Sequence, residues 1–149
     1  MRRTVTTLGL LLAVAAPLSA QEKKVIGNPP PTARISPAIV HGNTLWVSGQ
    51  LGVAPARDSG AANDISAQTK RTLENIKRLV EEAGTTMERG LHCTVFLTDI
   101  ADFAAMNDVY VTFFTRDRPT RSTVAVVALA SAAAKVEIEC QFAMPAGAK

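Results

Sequence analysis

Two charged residues in the last third of the chain have the types and surroundings needed to bind a small acid. Arg121 opens an apolar, β-branched run directly after Pro119 and Thr120, so its side chain can project into a cleft at the end of a strand. A guanidinium there offers paired N–H donors to a planar carboxylate. Glu137 lies on a later alternating strand and shares one face of it with Glu139. If another subunit covers that face, at least one of the two carboxylates needs a partner.

Other interpretations of these and neighbouring residues remain open at this stage. Arg121 and Glu137 could instead form a structural ion pair across adjacent strands. Cys93 and Cys140 both lie on apolar strand faces, so they are either two buried thiols or an intrachain disulfide. We predict no metal site, because no ligand pair among the histidines and cysteines has zinc-finger spacing. The set Phe103, Met106 and Phe113 is interpreted as core.

Hydrophobic patterning predicts the elements that must position Arg121 and Glu137. A β-hairpin turns at residues 41–44, and residues 54–63 form a loop. Asp64 can cap a helix that continues to about Ala83, with Gly84 at its C-terminal end. The remaining predicted elements are a strand over 91–97 with Leu91, Cys93, Val95 and Leu97 on one face, a helix from Asp99 or Asp102 to Phe113 or Phe114, and strands over 122–129 and 136–142.

This order, β-β-(β)-α-β-α-β-β around one core, indicates an α+β fold with both helices on one face of a sheet. The chain of 149 residues with 47% apolar content is long enough for one such domain and too short for two. The other face of so apolar a sheet would be an association site if it were left open. A second copy of the chain is the simplest cover for it.

The N-terminal segments are predicted to lie outside this domain. Residues 1–20 combine Arg2 and Arg3 with an apolar run and small residues before Gln21, which is typical of a secretory signal and predicts a periplasmic or secreted protein, with no membrane segment after cleavage. Removal of this segment leaves 14 of the 16 basic residues against 13 acidic ones, a net charge of only +1. That charge and an aromatic content of 5% disfavour a nucleic-acid partner. We divide the remainder into a Pro-rich linker (21–34), the domain (35–145) and a tail (146–149).

Five segments, taken in order, resemble the Rid family of reactive-intermediate deaminases, also called YjgF-type proteins. The resemblance extends over about residues 35–145, and any one segment alone would be a weak signal. The matching segments are Leu45-Trp46-Val47-Ser48-Gly49-Gln50-Leu51-Gly52, Thr94-Val95-Phe96-Leu97-Thr98-Asp99, Asp102-Phe103-Ala104-Ala105-Met106-Asn107-Asp108-Val109-Tyr110, Pro119-Thr120-Arg121-Ser122-Thr123-Val124 and Val136-Glu137-Ile138-Glu139.

The resemblance implies a chorismate-mutase-like mixed sheet with two outer helices, assembled as a homotrimer whose inter-subunit clefts bind 2-keto and 2-imino acids. It implies that Arg121 binds the substrate carboxylate and that Glu137 orients the hydrolytic water. Ser48, Gly49, Asn107 and Thr123 match cleft-lining, substrate-binding positions of the family.

One segment departs from the family pattern. Family enzymes commonly carry Gly-Pro-Tyr-Ser near the start of the domain, where this chain has Ile35-Ser36-Pro37-Ala38 and no tyrosine. The resemblance implies a cofactor-independent imine deaminase, and the missing tyrosine keeps a non-catalytic trimeric binder of small carboxylates as the alternative. RNA cleavage, an activity also credited to the wider family, is disfavoured by the charge.

Overall fold

A computed structural model describes residues 22–55 and 63–147. The predicted signal segment lies outside these residues, as do most of the loop after residue 54 and the end of the tail. The strands are β1 (Lys24–Ile26), β2 (Ala38–His41), β3 (Thr44–Leu51), β4 (Gly90–Leu97), β5 (Thr120–Ala125) and β6 (Val136–Ala143), and the helices are α1 (Ile65–Glu82) and α2 (Phe103–Phe113).

The six strands form one mixed sheet in the order β1-β2-β3-β6-β4-β5. All neighbours are antiparallel except β4 and β5, which run parallel because α2 connects them. β6 therefore lies at the centre of the sheet, and β5 lies at one edge. Both helices pack on the same face, as the sequence predicts. No helix within 22–55 or 63–147 is long and apolar enough to cross a bilayer.

Helix α1 has the cap and the apolar spacing that the sequence predicts. The Asp64 side chain accepts a hydrogen bond from the Ala67 amide at 2.8 Å, and Gly84 follows the helix with a φ of 85°, a conformation that favours glycine. Its buried apolar residues recur at three- and four-residue steps, so one face lies on the sheet. These residues are Ile65, Leu73, Ile76, Leu79 and Val80.

Three predictions about these elements are wrong, two about boundaries and one about a face. Residues 24–26 fall in the predicted linker, yet they form β1 and bury Ile26, because Val25 pairs with Ile39 of β2. Leu91 is 48% exposed, since the register of β4 against β6 shifts between Gly90 and His92 and turns the leucine off the core face. The strand expected over 122–129 begins at 120 and ends at 125, and residues 126–135 form an irregular connection instead.

The two faces of the sheet differ in what covers them. The helix face is the core, where β6 buries Val136, Ile138, Cys140 and Phe142. The opposite surface, here called the open face, has no element of the described chain packed on it and exposes 51% of Trp46. The open face is formed by Val25, Ile39, Trp46, Phe96, Val124, Glu137 and Glu139.

Of the two states left open for the cysteines, the structure has the disulfide. Cys93 of β4 and Cys140 of β6 are directly paired, with Cα atoms 4.1 Å apart and both side chains buried. The bond therefore joins the central strand to its neighbour inside the core. Arg121 of β5 pairs with the same Cys93 on the other side of β4.

Candidate functional site

Arg121 lies on the helix face of the edge strand β5. It pairs in register with buried Cys93, and register partners in neighbouring strands share a face. Its side chain therefore points toward α2 and not toward solvent on the open face. Thr123 follows two positions later on the same face, paired with Val95.

Helix α2 supplies three contacts to the Arg121 guanidinium. Nη2 donates a hydrogen bond to Oδ1 of Asn107 at 3.0 Å. The guanidinium carbon lies 4.5 Å from the centroid of the Tyr110 ring and 5.7 Å from that of Phe103, both within cation–π range. Phe103, Asn107 and Tyr110 are spaced i, i+4, i+7, so one stripe of α2 presents all three. We call these three residues the arginine clamp.

Two buried hydroxyl groups near Arg121 have no hydrogen-bond partner among the described residues. They are the Tyr110 Oη and the Thr123 Oγ1. Burial raises the pKa of Tyr110 to about 12, and the positive charge of Arg121 opposes that rise only in part. The phenol is therefore neutral at any physiological pH, and its ring contacts the arginine as an uncharged π face.

Glu137 occupies a second site, on the open face. Val136 and Ile138 on either side of it are buried against the helices, so alternation directs Glu137 away from them. Its carboxylate lies over Gly49, where a Cβ would overlap Oε1. The register of β3 against β6 shifts between Val47 and Gln50, which places Gly49 in an irregularity beside the carboxylate. A glycine is therefore needed at position 49 for Glu137 to take this position.

Buried Gln68 of α1 fixes the chain that leads into Glu137. Its side-chain amide donates to the Ala133 carbonyl at 2.9 Å and accepts from the Lys135 amide at 2.8 Å. Two residues later the chain reaches Glu137. Gln68 also donates to Asn63 before α1, so one side chain holds two connections at this end of the sheet.

The surroundings of Glu137 favour its protonated form. Burial raises the pKa of the Glu137 carboxyl, and the charge of Glu139 on the same face raises it further. No ion pair within residues 22–55 and 63–147 involves Glu137. A carboxylate with a raised pKa and no cationic partner is suited to accept a proton from water.

The sheet separates Arg121 and Glu137 within one chain. β4 lies between their strands, the two side chains are on opposite faces, and their register partners Cys93 and Phe96 are three positions apart, about 10 Å along the strand. The ion pair across adjacent strands, which the sequence left open, is therefore wrong. Asn107 and Thr123 lie with Arg121, whereas Ser48 and Gly49 lie in the strand next to Glu137.

Ser48 has a structural partner within its own chain. Its hydroxyl donates to the Pro37 carbonyl at 3.2 Å, and its amide donates to the same oxygen at 3.0 Å. These bonds hold the segment that lacks the family tyrosine against β3. The side-chain donor of Ser48 is thus already used within its own chain.

Sequence reasoning missed two members of the site. The sequence predicts no functional role for Tyr110, and it predicts that Phe103 belongs to the core. The structure places Tyr110 directly against Arg121, and Phe103 is 39% exposed and also faces the guanidinium. The i, i+4, i+7 spacing around Asn107 was the available signal, because it puts both rings on the stripe that carries a predicted site residue.

Comparison with known proteins relates the whole described domain to one family. The family model described as Endoribonuclease L-PSP matches residues 26–144. A RutC family protein of Pyrococcus abyssi is 42% identical over 98 residues, 66% of this chain and 77% of that protein. The bovine 2-iminobutanoate/2-iminopropanoate deaminase is 34% identical, covering 82% of this chain and 90% of its own. The chloroplastic Reactive Intermediate Deaminase A of Arabidopsis thaliana is 33% identical over 132 residues, 87% of this chain and 69% of that protein.

Solved structures share the fold. The Rid-family protein YyfA of Yersinia pestis, described as of unknown function, superimposes with a TM-score of 0.73 at 35% identity, covering 83% of this chain and all of its own. RidA from an Antarctic Psychrobacter gives 0.71 at 34% identity over 81% of this chain and 99% of that one. The six-stranded mixed sheet with two helices on one face is therefore the architecture of these proteins.

Proposed function

Because the chain belongs to the Ribonuc_L-PSP family, also known as the YjgF or Rid family, we propose that it is a 2-imino acid deaminase. It hydrolyses 2-imino acids, or their 2-enamine tautomers, to 2-keto acids and ammonia. Water adds across the C=N bond, the carbonyl forms at C2, and nitrogen leaves as ammonia. The reaction consumes only water, so the proposal requires no cofactor and no metal.

The observation that carries this proposal is the state of Arg121. Its side chain is partly buried, its guanidinium carbon lies 4.5 Å from the centroid of the Tyr110 ring, and one N–H is used by Asn107. The described residues provide no carboxylate partner for it. A partly desolvated guanidinium with remaining donors and no counter-ion is suited to an anionic ligand, and bidentate binding of a carboxylate uses that geometry fully.

Glu137 supplies the second function, which is to orient and deprotonate the attacking water. Its pKa is raised by burial and by Glu139, which brings the carboxylate nearer to the range in which a general base is effective. Arg121 binds the substrate carboxylate and thereby places C2 where this water can reach it. Arg121 therefore raises the rate by positioning the substrate and takes no part in bond making or breaking.

We further propose that the chain forms a homotrimer in which Arg121 of one protomer and Glu137 of another meet across the interface. Two observations support this. The open face is apolar at Trp46 and Val124 and no described element covers it. Arg121 and Glu137 lie on opposite faces of one sheet. Within a single chain, Glu137 and a water bound to it therefore cannot reach a substrate held by Arg121.

A second candidate is a trimeric binder of small 2-keto or 2-imino carboxylates without efficient turnover. The specific observation in its favour is the segment Ile35-Ser36-Pro37-Ala38, which has no tyrosine, while the tyrosine of α2 is buried beneath Arg121. Both candidate functions include carboxylate binding, and they differ only in the rate of imine hydrolysis. The proposal that nucleic acid is not a partner continues to rest on the net charge of +1 after removal of residues 1–20.

We also propose that the mature protein acts in the periplasm or outside the cell. The composition of residues 1–20 supports this location, and a disulfide between Cys93 and Cys140 is typical of an oxidising compartment. The imine source there would be an exported amino-acid oxidase or dehydrogenase. N-terminal sequencing of the protein from the native secreted or periplasmic fraction tests this, with Gln21 as the expected first residue; a cytoplasmic protein beginning at Met1 would contradict it.

The deciding experiment supplies the purified protein with a 2-imino acid generated in situ by an L-amino-acid oxidase. We expect release of the 2-keto acid faster than the spontaneous rate, with a dependence on enzyme concentration. Saturable binding of 2-oxobutanoate without acceleration would favour the non-catalytic binder. Absence of both would contradict the proposed function.

A further inference from the structure

The arginine clamp on α2 is built around a residue that the catalytic assignment does not use. Tyr110 is the only tyrosine of the chain and only 2% of it is exposed. A buried phenol ordinarily makes a hydrogen bond, but the Tyr110 hydroxyl makes none within the described residues. The hydroxyl therefore does not explain why a tyrosine is present, and the ring makes the contacts: it packs in the core, and its centroid lies 4.5 Å from the Arg121 guanidinium carbon.

The clamp restricts the guanidinium in two independent ways. The Tyr110 ring lies against the guanidinium, with its centroid 4.5 Å from the guanidinium carbon, and blocks movement on that side, while the Asn107 bond holds Nη2 and limits rotation of the group. A guanidinium has five N–H donors, so four remain after the Asn107 bond. The described residues place no other acceptor on them. Orientation before binding lowers the entropic cost of holding a carboxylate.

The Tyr110 ring is itself held in place by a second aromatic ring, at the end of α2. Phe114, one turn later, packs against it with ring centroids 4.8 Å apart, and its side chain is buried. Tyr110 thus has little freedom to move away from Arg121. Phe103, on the exposed end of the same stripe, is less restrained and lies farther from the guanidinium.

We propose that Tyr110 is a positioning residue that sets the affinity for the substrate carboxylate by holding the Arg121 guanidinium in place, with Phe103 as a weaker second contact. This rests on the proposed function in naming the carboxylate as ligand, and it assigns Tyr110 no role in proton transfer. The ring, and not the hydroxyl, is the functional part. The residue therefore influences ground-state binding and leaves the hydrolytic step to Glu137.

The test compares four variants in imine hydrolysis and in calorimetric binding of 2-oxobutanoate. Tyr110→Leu removes the ring, and we expect KM and Kd to rise about tenfold with kcat within twofold of wild type. Tyr110→Phe keeps the ring and is expected to restore both constants to within about threefold. Phe103→Leu, at a partly exposed position, is expected to raise KM about threefold and guards against a folding defect in Tyr110→Leu.

The matched control is Phe142→Leu, which removes a fully buried aromatic ring from β6 and does not touch Arg121. It should lower the melting temperature about as much as Tyr110→Leu while KM stays unchanged. An equal rise in KM in Phe142→Leu would reduce Tyr110 to a structural residue. Unchanged KM and Kd in Tyr110→Leu would overturn the proposal outright.

A ligand-free measurement separates failure of this inference from failure of the proposed function. Stacking on Tyr110 places the Arg121 Nε proton in the ring current, and Arg121→Lys assigns its NMR signal. We expect the shifted signal to persist in Tyr110→Phe and to move toward the random-coil position in Tyr110→Leu. If the wild-type protein neither hydrolyses imines nor binds 2-oxobutanoate, the proposed function fails, and this signal alone decides whether Tyr110 holds the guanidinium.

Discussion

The two halves of the candidate site are built in opposite ways. Arg121 is held by three side chains of its own protomer on the helix face, and its remaining donors are directed by that clamp. Glu137 has no ion-pair partner among the described residues and lies on the open face, above a glycine, with a raised pKa. The contacts that hold the arginine half thus come from one chain, whereas the described residues provide no ion-pair partner for the glutamate half.

The largest effect is expected from removing the arginine. Arg121→Ala should lower kcat/KM by about a thousandfold and abolish saturable 2-oxobutanoate binding, because truncating one partner of a desolvated charge pair costs about 2–5 kcal/mol. The melting temperature should change little, since the clamp residues belong to α2 and keep their own packing. Steady-state kinetics and thermal melting measure both.

Arg116→Ala is the control for that change, because Arg116 is an exposed arginine of the preceding loop. It should retain wild-type activity. Arg121→Lys should lower kcat/KM nearly as much as Arg121→Ala, since an ammonium is not planar and does not bind a carboxylate bidentately. Full activity in Arg121→Ala, or its unfolding, would show that the residue has another role.

The disulfide ties the strand of Glu137 to β4, the strand that separates it from the strand of Arg121. Cys140 is on β6 with Glu137, and Cys93 is on β4 beside Arg121. Replacing both cysteines by alanine should lower the free energy of unfolding by about 4 kcal/mol, because the bond closes a chain segment of 47 residues in the unfolded state. We expect 2-oxobutanoate binding to survive, since α2 holds the arginine independently.

The single variants Cys93→Ala and Cys140→Ala serve as the internal control. Each breaks the same bond, so each should cost about as much as the double variant, a strong departure from additivity. Alkylation under denaturing conditions with and without reductant, followed by mass measurement, counts the free thiols directly. Two alkylated cysteines without reductant would mean that the protein keeps them reduced.

The sequence predicts the arginine half better than the relation between the halves. Local patterns were sufficient for the cap at Asp64, for α1 and for the alternation that buries Ile138, because each depends on neighbours in the chain. The family resemblance, and not a local pattern, groups Arg121 with Asn107, and the structure joins these two side chains by a hydrogen bond. Local patterns did not predict that β4 separates β5 from β6, because strand order depends on which edges pair in the complete sheet.

The errors at the boundaries have the same origin. β1 reads as linker because three residues are too few for a periodic pattern, and only its pairing with β2 makes it a strand. Leu91 fits the alternation of β4, but a register shift that no local pattern encodes turns it outward. The disulfide likewise required knowledge that Cys93 and Cys140 are directly opposite each other.

Removing the charge of the glutamate should separate catalysis from binding. Glu137→Gln keeps the size of the side chain, and we expect kcat to fall about a hundredfold while Kd for 2-oxobutanoate changes less than threefold. The contrast with Arg121→Ala, in which binding itself is lost, tests the division of labour between the halves. Equal losses of affinity in both variants would show that the two residues form one binding site and that Glu137 is not the base.

The smallest effect concerns the acidic limb of the pH profile. The base must be ionised, so activity falls as pH drops through the raised pKa of Glu137, and burial followed by the charge of Glu139 sets how high that pKa lies. Glu139→Gln removes the second cause only. The pKa of Glu137 should then fall, and the acidic limb should move to lower pH, with the rate at neutral pH nearly unchanged. Gln141→Glu is the opposing variant, because it adds a carboxylate to the same face two positions beyond Glu139 and should leave the limb in place or move it slightly upward. A limb that does not respond to Glu139→Gln would assign the titrating group to some residue other than Glu137, because the open face of β6 places the two carboxylates side by side.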